Sequence, residues 1–233
     1  MAYMRGALVE LMPTMLVPIP NVIVFQFNPE TMTHTWTQPE AVATGSSTAP
    51  SNPLAVKGFP GEQFSFTIAM DAGDSIADGT VSAALAEVSG VYTRLAALEM
   101  LMYPSSATQS GLLGTVTAAI GSLVGAGGGG VQRSVPANTM PTVIFVWGPG
   151  RIVPVRVTTL TVTEKLYDGL LNPTHAEAQL GLRVLTTDEL KADNDKLAVV
   201  AKAAYSYSQG LRQALAVANL ANSVESIIGM LPL

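Results

Sequence analysis

Alternating apolar and polar positions are the strongest signal along the chain, and they predict β-strands. In residues 62–71 every second position is a large apolar side chain, as expected of a strand with one buried face. These positions are Phe64, Phe66, Ile68 and Met70. The same alternation predicts a second strand on Ala176, Ala178, Leu180, Leu182 and Val184. Both strands are therefore expected in a half-buried sheet.

A stretch near the N-terminus predicts a β-hairpin. The apolar residues that share one face of its first strand, near residues 21–27, are Ile23, Phe25 and Phe27. The turn-forming sequence Asn-Pro-Glu follows at 28–30. The residues on one side of the returning strand are Met32, His34 and Trp36.

Residues 141–168 predict a second hairpin, with an irregular returning strand. Thr142–Trp147 is apolar on both faces, as in the middle of a packed sheet, and Gly148–Gly150 has the composition of a turn. The returning strand is apolar first at odd and then at even positions, namely Val153, Val155, Val157, Leu160 and Val162. Its buried face therefore changes near Thr158, which predicts either a β-bulge or a strand that passes from one core to another.

Helical spacing appears in two regions. Apolar residues three, four and seven apart predict a helix over about 81–103 that Pro104 ends. They are Val81, Leu85, Val88, Tyr92, Leu95 and Met102. After the last strand, Thr186-Thr187-Asp188-Glu189 has the form of a capping box, and the pattern stays helical to Leu231 with a predicted break at Gly210.

The second segment of this C-terminal region carries an apolar stripe. Its members are Val217, Leu220, Val224, Ile227 and Leu231. Such a stripe serves either docking within the chain or binding to a partner, and the sequence leaves both open. The chain is thus predicted to be mainly β (α+β) and of barrel or sandwich type. Residues 1–185 form the β domain, with a Gly-rich insertion at about 105–138, and residues 186–233 form a helical extension.

Composition points to a protein whose surface is covered by partners. Of 233 residues 48% are hydrophobic and only 12% are charged, which is poor in charge for a free monomer. The net charge is −5 and no run of Lys or Arg is dense enough to follow a phosphate backbone, so we expect no nucleic-acid partner. The chain has no Cys, which excludes disulfides and thiol chemistry. Arg5 is followed by Glu10 and several prolines, so no export signal is predicted.

Residues 111–131 are the basis of an alternative, a membrane-associated protein anchored through this segment. The segment is uncharged, long enough to span a bilayer, and has Gly121 and Gly125 at G-x-x-x-G spacing. Four consecutive glycines at 127–130 argue against a stable helix. The competing interpretation is an insertion that is mobile or covered by a partner.

Residues that could perform chemistry are few, and we predict no enzyme, no cofactor and no metal site. His34 and His175 have no Ser, Asp or second ligand in a known catalytic arrangement nearby in sequence. The three carboxylates of Asp71–Gly79 lack the alternate-position spacing of a calcium loop. Gly-Ala-Gly-Gly-Gly-Gly at 125–130 lacks the Lys of a phosphate loop. A ligand-binding or enzymatic β-barrel that uses His34 or His175 remains the third hypothesis.

The order of short motifs resembles a known family. The motifs are V-F-Q-F-N-P-E-T-M at 24–32, Q-F-S-F-T-I-A-M-D at 63–71, P-T-V-I-F-V-W-G at 141–148, V-R-V-T-T-L-T-V-T-E-K-L-Y-D at 155–168 and N-P-T-H-A-E-A-Q-L-G-L-R-V-L at 172–185. Over about residues 5–188 the chain looks like the tube-type baseplate proteins of contractile injection systems, the phage-tail-like particles.

The resemblance implies a fold and a mechanical role. It implies a tube-protein-like β-barrel or sandwich with a flanking helix, six copies of which form a ring that connects the inner tube to the spike hub. The implied partners are further copies of the chain, the inner tube protein, the spike or hub protein and other baseplate subunits. The implied location is the cytoplasm, within a particle that is released or docked at a membrane. The residues we expect at the subunit interface are Val153, Val155, Val157, Leu160, Val162, Leu220, Val224 and Ile227.

One departure from the family concerns the C-terminus. Members of this family often carry a C-terminal LysM module, thought to bind peptidoglycan, whereas residues 186–233 are helical in pattern without a strand signal. Glycan binding is therefore not carried over to this chain. The helices are expected instead to dock on adjacent baseplate parts.

Overall fold

One antiparallel sheet of seven strands organises the described part of the chain. The computed structural model describes residues 4–12, 19–39, 56, 58–77, 86, 88–103, 140–192 and 196–230. The strands are β1 (Ala7–Met12), β2 (Ile19–Val24), β3 (Met32–Thr37), β4 (Gly61–Asp71), β5 (Thr142–Val146), β6 (Ile152–Tyr167) and β7 (Pro173–Val184). The helices are α1 (Ala72–Ala77), α2 (Tyr92–Met100), a 3₁₀ helix (Glu189–Ala192) and α3 (Lys196–Met230).

The strand order is β2-β1-β5-β6-β7-β4-β3. The fold is mainly β, a sandwich-like α+β arrangement with flanking helices and not a closed barrel, because the end strands β2 and β3 do not pair with each other. The predicted fold class is confirmed, and the barrel option within it is excluded for the described strands.

Alternation in β4 and β7 builds the main core, as predicted. The apolar positions of both strands are buried, and the two strands pair along nine residues from Gln63 with Arg183 to Asp71 with His175. Phe145 of β5 is fully buried, with its ring 5.4 Å from that of Phe64. The other face of β5 holds Ile144 in a second cluster with Leu190 of the 3₁₀ helix and Ala201 of α3. This confirms that β5 is buried on both sides.

The hairpin of β5 and β6 is also confirmed, and so is its irregularity. Val146 pairs with Ile152, and the pairing of β6 with β7 shifts between Val157 and Thr159. This is the β-bulge option. Thr158 donates a hydrogen bond from Oγ1 to the carbonyl oxygen of Gly181 at 3.0 Å across the shift. Residues on both sides of the bulge pack on the same core, so the strand does not pass between two cores.

The predicted N-terminal hairpin is wrong. β2 pairs with β1 and β3 pairs with β4, at opposite ends of the sheet. The turn between them is tied to the N-terminal segment instead, because Asn28 accepts a hydrogen bond from the Gly6 amide and donates one to the Met4 carbonyl, both at 2.9 Å. Phe25 is buried in the core, but Phe27 is exposed, so the two do not share a buried face.

The predicted helix over 81–103 is not continuous. Residues 78–85 and 87 lie outside the described residues, and the helix breaks at Gly90, which has φ +57°. The Gly90 amide closes the preceding turn on Ala86, while the Val91 amide donates to the carbonyl of Pro173. The break rotates the apolar face, so that Val91, Leu95, Leu98 and Leu101 are buried. Val88 and Tyr92, which the predicted stripe included, are exposed.

The C-terminal extension begins as predicted and continues differently. Thr186 and Glu189 form the reciprocal capping box, with the Thr186 amide donating to Glu189 Oε2 at 2.9 Å. The predicted break at Gly210 is wrong, because α3 runs without interruption for 35 residues. Nothing lies within 4 Å of where a Gly210 side chain would begin, so no contact forces the helix to bend there.

Residues 104–139 lie outside the described residues, and with them lie the predicted Gly-rich insertion and the candidate span at 111–131. Among the helices that the structure does describe, none combines the length and apolar character needed to cross a membrane.

Candidate assembly surfaces

A buried carboxylate joins the C-terminal helix to the sheet. Glu62 lies on the core face of β4, in line with Phe64, and its side chain is 5% exposed. Arg212 of α3 donates from Nη1 to Glu62 Oε2 at 2.8 Å and from Nη2 to Oε1. His34 of edge strand β3 places Nε2 at 2.7 Å from Glu62 Oε1. Three distant parts of the chain therefore meet on one carboxylate.

Arg151 adds a second cation beside this cluster. Its guanidinium lies 5.0 Å from the centroid of the Phe64 ring and contacts the sulfur of Met32. Burial, and then repulsion from Arg212, lower the pKa of Arg151. Arg151 and Arg212 both oppose a positive charge on His34, whereas Glu62 favours it.

Burial lowers the pKa of His34 below its usual 6.5, and it outweighs the hydrogen bond and attraction of Glu62, which raise it. The His34 ring also stacks on Phe64, with centroids 4.1 Å apart. The unfolded chain binds a proton on His34 more tightly than the folded chain does. The contribution of neutral His34 to the free energy of unfolding is therefore fully present above pH 6.5, and it is lost as the pH drops from 6.5 toward the lower folded pKa.

We therefore expect the free energy of unfolding to decrease as the pH is lowered below 6.5, before the carboxylates titrate. Urea unfolding of wild type, His34→Asn and His175→Asn at several pH values measures this. The His34→Asn variant should lose the slope in that window, and His175→Asn, the matched control, should keep it. A slope that disappears only with His175→Asn would contradict the assignment.

Two hydroxyl groups fix α3 on the β5–β6 hairpin. Ser208 is buried, donates from Oγ to the Ile152 carbonyl at 2.7 Å and accepts from the Ile152 amide at 3.1 Å. Tyr207 donates to the carbonyl of Pro149 in the turn at 2.9 Å. The first half of the extension is thus docked within the chain, ahead of the apolar stripe for which the sequence left both options open.

Beyond Arg212, residues 213–220 of the same helix are exposed. Leu215, Val217 and Leu220 are 62%, 69% and 63% exposed. Residues 213–230 extend over roughly 27 Å at the rise of an α-helix. A helical segment of this length gains little from its own propensity, and it is stabilised mainly by packing against something else.

A second apolar surface lies at the tip of the β6–β7 hairpin. Leu166, Leu170 and Leu171 are 71%, 78% and 77% exposed. Leu166 and Leu171 have φ of 54° and 66°, a conformation that costs about 1–2 kcal/mol for a residue with a side chain. Asp168 supports the turn by accepting from the amides of Leu170 and Asn172, and its hydrogen bonds, first that from the Asn172 side chain, lower its pKa.

The two edge strands form the third surface. Within the described ranges no strand pairs with the outer side of β2 or β3. Val22 and Val24 of β2 and Trp36 of β3 are 50%, 49% and 54% exposed. An open edge beside apolar side chains is a template for pairing with another chain.

The residues predicted at the subunit interface fall into four groups. Val153, Val155 and Val157 are buried in the core of the chain itself, so the prediction that they contact a partner is wrong. Leu160 and Val162 lie beyond the bulge, half-buried against the same core. Leu220 is exposed on α3. Val224 and Ile227 belong to α3, but their side chains lie outside the described residues.

Both histidines have carboxylate neighbours that sequence spacing did not reveal. His175 Nδ1 lies 3.2 Å from Asp71 Oδ2, across the β4–β7 pair. Asp71 also accepts a hydrogen bond at 2.7 Å from the amide of Gly73, at the start of α1. Part of the acidic stretch 71–79 lies outside the described residues, and in the remainder of the described chain no cluster of three potential metal ligands occurs.

The cluster around Glu62 was not predicted from the sequence, although the burial of Glu62 itself could have been predicted from the local pattern. Glu62 has the same parity as Phe64 and Phe66, so a strand with a buried face places a carboxylate on that face. A buried carboxylate requires a partner, which predicts a distant cation. The identity of that cation as Arg212, 150 positions away, has no local signal.

Comparisons with known proteins add no family. Neither a scan against models of protein families nor a search of curated proteins found a match.

Proposed function

We propose that this chain is a structural baseplate subunit of a contractile, phage-tail-like injection system. Six copies form a ring that connects the inner tube to the spike hub, and the ring contacts further baseplate subunits. The function is mechanical: the protein holds position and transmits force, and its working residues are contact residues. The particle assembles in the cytoplasm.

The observation that carries the proposal is the pair of open edges at the ends of a single sheet. β2 and β3 follow each other in the chain but lie at opposite ends of the strand order. Each end carries exposed apolar side chains and an outer side that no described strand covers. Edge-to-edge pairing of copies around a ring would satisfy both ends of every subunit, which is how closed symmetry removes an edge.

The motifs that carry the family resemblance also support it. They coincide with β4, β5, β6, β7 and the β2–β3 connection, that is, with the strands and the turn that build the main core. The resemblance therefore rests on residues that determine this sheet. The low proportion of charged residues, 12%, agrees with a surface that is largely covered in an assembly.

Lysines on an edge strand test the proposal. In Val22→Lys with Val24→Lys, two exposed apolar positions of β2 become charged, and charged edges resist pairing. We expect the particle mass measured by light scattering to fall from that of a ring to that of a monomer, with an unchanged circular dichroism spectrum.

The matched control is Thr163→Lys, an exposed position on the central strand β6. It adds a lysine to the same sheet without touching an edge, and it should leave the ring intact. Rings that persist in the double lysine variant would contradict assembly through this edge.

A further inference from the structure

Helix α3 carries a row of docked residues and a second, apolar row. The two rows lie on different faces of the helix. The docked face consists of Ala198, Ala201, Tyr205, Ser208 and Arg212. These residues follow each other at intervals of three and four, which places them along one side of the helix. Ala201, Tyr205, Ser208 and Arg212 contact the sheet, the hairpin or the core behind them, and Tyr207 reaches the same hairpin through its hydroxyl.

The distal half of α3 has a second row with the same spacing. It begins with the exposed residues Val217 and Leu220, and the sequence continues it with Val224 and Ile227. The interval from Arg212 to Val217 is five residues, which breaks the alternation of three and four. At 100° per residue the second row is rotated by roughly 100° from the docked face.

This rotation means that the distal row is not a continuation of the intramolecular docking face. The positions that would continue the docked face hold small or polar residues, Ala216, Asn219, Ser223 and Ser226. The helix therefore changes the side on which it is apolar as it leaves its own domain. Val217 and Leu220, which begin the distal row, are exposed and therefore open to contact with another body.

We infer that the distal row packs against the same row of a second copy of this chain. Residues 213–230 contain a single charged residue, Glu225, so two copies laid side by side bring no rows of like charge together. A strongly charged partner would find no complementary charge on this segment. The row alternates Val with Leu or Ile at the two core positions of a heptad, a pattern typical of paired identical helices.

This inference rests on the proposed self-assembly and specifies one of its contacts. The helices of neighbouring copies leave the ring on the same side. They pair two by two through the distal row, so that a ring of six carries three helix pairs, while the docked half stays on its own sheet. Only about two and a half heptads are available from residue 213 to residue 230, so the pairing reinforces contacts made elsewhere.

The absence of Cys makes a direct test possible, since any introduced thiol is unique. We would compare Leu220→Cys with Leu215→Cys in the full chain under mild oxidation and dilute conditions. Both leucines are similarly exposed, but Leu215 lies about 140° around the helix from Leu220, outside the distal row. Leu220→Cys should form at least five times more disulfide-linked dimer on a non-reducing gel.

Light scattering on the same samples separates this inference from the proposed ring. Rings with selective cross-linking at position 220 support both. If rings form and the two variants cross-link equally or not at all, helix pairing is overturned while the ring stands. Selective cross-linking in a sample that contains dimers and no rings supports helix pairing and overturns the ring.

Discussion

Glu62→Gln is expected to lower the free energy of unfolding by about 2–3 kcal/mol, because it removes the carboxylate that compensates two neighbouring arginines. Glu62 is 5% exposed and accepts two hydrogen bonds from Arg212, with Arg151 close by. Without the charge, Arg212 and Arg151 repel each other. The expected cost is below that of a fully buried pair, because Arg212 is 32% exposed and can turn partly toward water.

A double-mutant cycle with Arg212→Met measures the coupling in urea unfolding. The double variant should cost at least about 1 kcal/mol less than the sum of the single variants, since each single change already breaks the same contact. Lys165→Met removes one half of the exposed pair of Lys165 with Glu177 and serves as the control, with an expected effect below about 1 kcal/mol. Additive effects of Glu62 and Arg212 would contradict the role of this pair in docking α3.

Gly90→Ala is expected to destabilise the protein by about 2–4 kcal/mol. A methyl group at this position would lie 2.2 Å from the carbonyl oxygen of Pro173. That oxygen accepts the hydrogen bond of the Val91 amide, so the backbone of β7 cannot move away without losing the contact. The φ of +57° adds the strain of a left-handed conformation.

Two other glycines separate these causes in thermal or urea unfolding. Gly148 has φ +65° with nothing within 4 Å, so Gly148→Ala should cost only about 1–2 kcal/mol. Gly150 has neither the positive φ nor a neighbour, and Gly150→Ala should be close to neutral. Equal effects at positions 90 and 148 would show that the approach of Pro173 does not matter.

The local parts of the fold could be predicted because they depend on local periodicity. Alternation along β4 and β7 indicated both strands and their buried faces, and the change of parity after Val157 indicated the bulge. The pairing of β2 with β1 and of β3 with β4 could not be predicted in this way. The segment between them has the sequence of a turn, but its Asn28 side chain forms hydrogen bonds with Gly6 and Met4, which lie more than 20 positions away in the chain.

The predicted positions of the helix breaks are wrong at two glycines for a related reason. Gly90 breaks a helix because Pro173, far along the chain, accepts the bond of the next amide. Gly210 does not break one, because Ser208 and Arg212 hold the helix on the sheet on either side of it. A mid-helix glycine costs only about 1 kcal/mol, which such contacts exceed.

The candidate surfaces were predicted in part. The C-terminal row was identified from its spacing, and Leu220 is exposed as an interface residue must be. The valines of β6 were expected at the subunit interface, but Val155 is fully buried within its own chain. Sequence pattern reports which residues avoid water, and it does not report whether the same chain or a neighbour covers them.

The most direct test of the central claim is the mass and shape of the purified full-length chain, alone and after mixing with its tube and spike neighbours. Light scattering gives the mass and negative-stain imaging gives the symmetry. We expect six-fold rings, formed by the chain alone or on a tube or spike partner. A chain of 24.2 kDa that remains monomeric with every neighbour would contradict the assignment to a ring.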